Sequence, residues 1–229
     1  MTVLGLETSS RICSVGLADD HGPSAVLSLD AGSVHSEKLL TMINSLLDEH
    51  SATLRSVDAI AVSSGPGSFT GLRIGFSAAK GLCLSLGKPL AVVSTFEALA
   101  RRVARGRNRK GNIVVALDAK KGDFYAGMFQ QTGEDLKPNG ETLLLHTEDL
   151  PAWLGSLPEP LMITDSQREL RSILGDARVE IEEAGPYFRG DEIAALGLHA
   201  VRNGRLADIA QAEPLYLKDF VVARRPPAV

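Results

Sequence analysis

The sequence predicts an α/β fold made of two related lobes, and three observations lead there. The chain opens on short apolar runs, Val3 to Leu6, Ile12 to Ala18 and Ala25 to Leu29, with the turn chemistry of Asp19-Asp20-His21-Gly22 between the last two. Beyond them, apolar runs of strand length alternate with amphipathic helical patterns. Past residue 110 the opening recurs. Ile113 to Leu117 ends in Asp118 as Val3 to Leu6 ends in Glu7, and each is followed by a polar turn and a second apolar strand, Phe124 to Phe129 in the later copy.

In chain order, the meander leads into a helix capped by Ser33 or Ser36, with Leu39, Met42, Ile43, Leu46 and Leu47 on one face and Glu37 in its first turn. Ala59 to Val62 reads as a buried strand. The loop Gly65-Pro66-Gly67 and a helix from about Thr70 to Leu86 follow it, and Gly87 and Pro89 stop that helix. Leu90 to Val93 is a further strand, and Ser94 with Glu97 has capping-box spacing for the next helix, which ends among Arg101, Arg102 and Arg105. Gly106 to Gly111 is basic, glycine-rich and without apolar period, so it is the expected linker between a lobe over 1–105 and a lobe over 106–229. Later helices are expected near Thr147 to Leu154, Ser166 to Leu174 and Asp191 to Val201.

Composition narrows the function. With 229 residues, 44% of them hydrophobic, the chain buries a substantial core. A formal net charge of -4 argues against unaided binding to phosphate backbones, so any contact with nucleic acid is expected to be indirect. The most apolar stretch, Leu82 to Val93, is broken by Gly87, Lys88 and Pro89 short of the ~20 residues a spanning helix needs. Met1 to Leu6 lacks the features of a signal peptide, and Cys13 and Cys83 read as two buried, reduced thiols. A cytoplasmic protein without a membrane span is the expectation.

Residues that could carry chemistry are few. The loop Gly65 to Gly71 lies between a strand and a helix, where anions can bind, but Leu72-Arg73 stands where a Walker loop needs Lys-Ser/Thr, and no acid lies about 20 positions on to hold a ribose. A structural turn is the simpler reading. His21, His35, His50, His146 and His199 lack the three- or four-residue spacing of a helical metal site. Ser68 has no nucleophile-elbow context, and no activating base lies near either cysteine in sequence. Glu7 and Asp118 are the best carboxylates for a site between the lobes, with strand-end capping as the simpler role. The run Arg101, Arg102, Arg105, Arg107, Arg109, Lys110 reads as a solvated helix end and linker. Gly71, Gly75, Ala79 and Cys83, four apart, form a strip of small residues that admits another backbone, either this chain's own sheet or another chain. Leu72, Phe76, Leu82 and Leu86 add apolar positions around the same helix.

The segments LGLETS, HSEKLL, SSGPGSFTGLRIG, VSTFEALA, ALDAKKGDFYAGMF and AEPLYLKD, spread over nearly the whole chain, resemble the TsaB (YeaZ) family. The resemblance implies a two-lobed actin-like fold of the ASKHA class and a part in making threonylcarbamoyladenosine next to the tRNA anticodon. It also implies that a larger relative, TsaD, performs the transfer, using a segment that resembles Val-His-His-x-x-Gly-His to bind metal. Here that segment is Val93-Ser94-Thr95-Phe96-Glu97-Ala98-Leu99, with Thr95 and Leu99 in the places of the metal-binding histidines.

The expectation is therefore a non-catalytic subunit with no cofactor of its own, ATP and metal residing on partner subunits. A TsaD-like catalytic subunit would meet it through the two N-terminal helices, at Leu39, Met42, Ile43, Leu46, Gly71, Leu72, Gly75, Phe76, Ala79 and Leu82. A TsaE-like ATPase joins the assembled complex, and the free chain is expected to pair with itself through the same helices. The rival is an enzyme of the same fold, a metal-dependent glycoprotease or a nucleotide-dependent phosphotransferase. Both need a ligand set or acidic magnesium site that the sequence does not display.

Overall fold

The computed structural model describes residues 1–30, 32, 34–106, 111–133, 135–175 and 179–217. Strands β1 (Val3–Glu7), β2 (Ile12–Asp19) and β3 (Gly22–Asp30) form the antiparallel meander. Its hairpin turn is fixed by the His21 N–H, which donates to Asp19 Oδ1 at 2.8 Å, and by Gly22 at φ 113°. Helix α1 (His35–Glu49), β4 (Ala59–Ser63), α2 (Phe69–Leu86), β5 (Leu90–Val93) and α3 (Thr95–Gly106) complete the first half. Ser68 caps α2 by accepting the Gly71 N–H at 3.2 Å, and Gly87 ends it in the left-handed region at φ 63°. The cap expected on α1 is corrected: Val34 holds that position without a side-chain bond, Ser36 lies inside the first turn, and Ser33 lies outside the described residues.

The second half repeats this plan with β6 (Gly111–Asp118), β7 (Asp123–Thr132), β8 (Asp135–Pro138), β9 (Leu143–His146), α4 (Leu150–Gly155), β10 (Leu161–Thr164), α5 (Gln167–Leu174), β11 (Glu180–Glu183) and α6 (Gly190–Arg202). The sheets have the same order and directions. The first runs β3-β2-β1-β4-β5, with β4 and β5 parallel to β1, and the second runs β8-β7-β6-β10-β11, with β10 and β11 parallel to β6. β9 is an addition that pairs with the start of β7. The duplicated, two-lobed actin-like architecture is thus present. Within the described residues no helix is long and apolar enough to cross a membrane.

The lobes do not separate at 105/106 as the sequence division has it, because each lobe receives its last helix from the other half of the chain. From α3, Phe96, Leu99, Ala100 and Val103 join the core of the second sheet with Ile113, Val115 and Leu117. From α6, Ile193 and Ala194 join Val3, Ala18, Ala59, Ala61 and Ala91 on the first sheet. The linker expected over 106–111 falls on 107–110, outside the described residues. Contact between α6 and the first sheet is at backbone distance: a Cβ on Gly5 would lie 2.1 Å from the Gly190 carbonyl, and one on Gly16 would lie 2.1 Å from Asp191 N. The segment after α6 returns to the first lobe as well. The Ala207 N–H donates to the Leu90 carbonyl at 2.9 Å, and the Leu215 N–H to that of Ser64 at 2.9 Å.

Helices α3 and α6 are tied by Arg105, whose guanidinium makes two 2.8 Å bonds to the Glu192 carboxylate. Burial pushes the Glu192 carboxyl above its ordinary range, and Arg105 pulls it down. Arg105→Ala leaves that carboxyl buried and unpaired, at a cost of about 1–3 kcal/mol, below the ~3–5 of a fully buried pair because the Arg105 side chain is 46% exposed. The variant's Glu192 pKa rises further, so its native state binds the proton where the unfolded chain has lost it. Its stability deficit should therefore shrink as pH falls through the raised pKa and widen above it, which urea unfolding of both proteins at pH 5 and pH 8 would measure.

Candidate functional site

The segments that follow the parallel strands of both sheets face one another across a cavity of about 890 Å³. Strand C-termini are where open α/β sheets hold ligands. One wall carries Ser9, Ser10 and Arg11 after β1 and Gly67 to Thr70 after β4. The opposite wall carries Asp118 at the end of β6, Lys120 just beyond it, Asp165 after β10 and Glu183 at the end of β11. Leu215 and Tyr216, from the segment after α6, border the cavity, and the Tyr216 ring lies 5.1 Å from that of Phe69.

On the first wall the glycine loop is pressed onto the turn after β1. A Cβ at Gly67 would sit 2.2 Å from the Ser9 carbonyl, and one at Gly71 2.0 Å from that of Thr8. The Ser68 N–H donates to the Ser9 carbonyl at 2.6 Å and the Gly65 N–H to Thr95 Oγ1 at 3.1 Å. The Gly65, Ser68 and Gly71 amides are therefore already used inside the chain, which favours the structural-turn reading. Glu7 is buried beneath this turn, 1% exposed, and Oε1 accepts from the Ser9 N–H at 2.6 Å, Ser9 Oγ at 2.5 Å and Ser63 Oγ at 3.2 Å. Desolvation raises its pKa, and those three donors oppose the rise. Glu7 ties the ends of β1 and β4 together and does not line the cavity.

The second wall gathers carboxylates. Asp118 Oδ2 accepts from Lys120 Nζ at 2.5 Å, and the Asp118 N–H donates to Asp165 Oδ1 at 2.9 Å. Burial, and then the Asp118 charge, hold Asp165 above the usual carboxylate range. Burial and then Asp165 do the same for Glu183. Of the two acids expected between the lobes, Asp118 is there and Glu7 is beneath the floor, whereas Asp165 and Glu183 escape the sequence reading. Their signal was an acid at the end of a strand, hidden because Leu161–Thr164 and Glu180–Glu183 are only four residues each. Among the described residues no three His, Cys, Asp or Glu converge as a metal site.

The residues expected to meet a partner lie elsewhere, and the structure corrects their role. Leu39, Met42, Ile43 and Leu46 on α1, and Phe76 and Ala79 on α2, are buried in this chain's own core with Leu4, Leu6, Val15 and Ile60. Leu72, Gly71 and Gly75 are buried too, and a Cβ at Gly75 would meet Thr8 Oγ1 at 2.3 Å. Only Leu82 is half-exposed. The small-residue strip admits the first sheet, not another chain, because both helices need their apolar sides to cover one face of that sheet. The outward sides carry Leu40, 56% exposed, and Leu84, 72% exposed, and a Cβ on Gly81 would meet open space. Accordingly, Gly75→Leu should cost at least the ~1–3 kcal/mol of core overpacking, while Gly81→Ala should stabilise by up to about 1 kcal/mol; thermal melts of the two variants check both signs.

The model of the family described as "TsaD: tRNA N6-adenosine threonylcarbamoyltransferase" matches residues 26–196. The chain is 27% identical to the tRNA threonylcarbamoyladenosine biosynthesis protein TsaB of Escherichia coli (strain K12), over 99% of each chain. It is 29% identical to the protein of that name from Bacillus subtilis (strain 168), over 95% of this chain and 94% of the other. A crystal structure described as an uncharacterized protein with similarity to peptidase YEAZ, from Pseudomonas aeruginosa, superposes with a TM-score of 0.82 at 28% identity, covering 95% of this chain and 99% of that one. With a family model matching well over half of its length and TsaB relatives aligned end to end, this chain belongs to the TsaB (YeaZ) branch of the tRNA N6-adenosine threonylcarbamoyltransferase family.

Proposed function

We propose that this chain works in the biosynthesis of threonylcarbamoyladenosine on tRNA as the non-catalytic partner of a TsaD-like subunit, which it binds and supports while that subunit transfers the threonylcarbamoyl group. One observation carries the reading: the positions that resemble the catalytic relative's metal-binding histidines are spent on structure. Thr95 is fully buried, its hydroxyl accepting the Gly65 N–H, and Leu99 is 1% exposed within the second lobe's core. Neither offers a donor atom toward the cavity. Metal and ATP belong to the partner subunits in this scheme, with a TsaE-like ATPase joining the assembled pair.

The contact with the catalytic subunit lies on the outward sides of α1 and α2, where Leu40 and Leu84 are exposed beside the half-buried Ile74, Ala78 and Leu82. A charge placed there should be excluded from an apolar interface without disturbing the fold beneath it. Leu84→Glu is expected to weaken binding of the TsaD-like protein from the same organism about tenfold or more, with an unchanged melting temperature. Titration calorimetry would give the affinity, and a tRNA modification assay with and without this chain would give the role. Full modification by the other subunits in its absence would end the proposal.

A further inference from the structure

The cavity between the lobes has no part in the partner role, and its walls specify what it can hold. Its volume of about 890 Å³ lies within the roughly 300–1,000 Å³ of pockets that take small organic ligands. Much of its lining is apolar, with Ile12 and Leu72 from the first half of the chain and Leu117, Tyr125 and Phe188 from the second. Two of the protein's exposed large apolar side chains, Leu215 at 45% and Tyr216 at 44%, are neighbours at its border. Both are held in place. The Leu215 N–H is bonded to the Ser64 carbonyl, and the Tyr216 ring lies against Phe69, whose ring centre is 5.0 Å from the Arg73 guanidinium. Apolar surface fixed beside a cavity is surface for a ligand to cover.

The charged groups of the cavity do not cancel. Arg11 is paired with Asp30 at 2.8 Å and Lys120 with Asp118 at 2.5 Å. That leaves Lys121 against Asp165 and Glu183, neither of which forms an ion pair among the described residues. The two carboxylates are close enough that, after burial, the Asp165 charge is what raises the Glu183 pKa. An anion entering the cavity meets these acids on one side and, on the other, the Gly65, Ser68 and Gly71 amides already bonded within the chain. A cation between the acids relieves their repulsion. A metal ion there would use the carboxylates and leave the apolar lining and the Tyr216 border without a role. We propose that the cavity binds a small organic cation, an amine or guanidine on an aromatic or apolar body, with its head at Asp165 and Glu183 and its body against Tyr216 and Leu215. Such a ligand touches both lobes, because the acids follow strands of the second sheet and Tyr216 packs on α2 of the first. None of these residues belongs to the outward sides of α1 and α2, so the site stands apart from the contact with the catalytic subunit.

Three probes with one aromatic body and different heads test this by titration calorimetry on the full chain: tyramine, its alcohol analogue tyrosol and the acid hydroxyphenylacetate. Tyramine is expected to bind at sub-millimolar to millimolar concentration, tyrosol about tenfold or more weakly, and the acid not measurably. Asp165→Asn keeps the acceptor for the Asp118 N–H, so it and Glu183→Gln should each weaken tyramine about fivefold or more without lowering the melting temperature. Tyr216→Ala should weaken it about threefold or more, and Leu84→Glu should leave it unchanged. Absence of binding by tyramine and by the aliphatic guanidine agmatine up to about 10 mM, equal binding of tyrosol, or a tyramine affinity indifferent to both carboxylate variants would each overturn the assignment.

Discussion

The fold depends on a seam where helix α6 lies against β1 and β2 at backbone distance. Gly5, Gly16 and Gly190 meet there with no side chain between them, and the Gly190 N–H donates to Ser14 Oγ at 2.9 Å. Any Cβ at these positions would fall inside a neighbouring backbone atom. The seam sets the depth at which Ile193 and Ala194 enter the first sheet's core, and through it the second half of the chain is fastened to the first.

From that seam the remaining geometry follows. Each half contributes two helices to its own sheet and sends the third to the other, so α3 and α6 run between the sheets and are tied by Arg105 and Glu192. The facing strand ends then enclose the cavity, one wall of hydroxyls and close-fitting glycines, the other of carboxylates and lysine. Position 95 braces the glycine loop and position 99 fills the second core, and a side chain with either duty has no freedom to serve as a ligand. In the proposed partner role the useful surface is then the outside of the molecule and not the cleft.

The sequence disclosed the elements with strong periodicity. The opening meander, α1, β4, α2 and β5 were legible because apolar runs and caps such as Ser68 and Gly87 act locally, and the repeat was visible in Glu7 and Asp118 closing equivalent strands. What it could not disclose was direction. The stripe Leu39, Met42, Ile43, Leu46 and the strip Gly71, Gly75, Ala79 look the same whether they face a partner or the chain's own sheet, and only the position of Thr8 opposite Gly75 decides. The crossing of α3 and α6 was hidden for the same reason, since a buried helical face carries no mark of which sheet it buries against. β10 and β11, four residues each, gave too little pattern to place Asp165 and Glu183.

The exchange of helices has a consequence for how the molecule is made. The first sheet is complete in sequence at Val93, but the helix that covers its inner face begins at Gly190. A ribosome synthesising this chain therefore releases a sheet with one finished side, covered by α1 and α2, and one bare side around Val3, Ala59 and Ala61. That side stays uncovered while residues 94–189 are made, and contacts so distant in sequence form late. Nascent chains are thus sticky on one face for a long part of their time on the ribosome, and truncation before α6 removes the inner-face core of the lobe that was translated first.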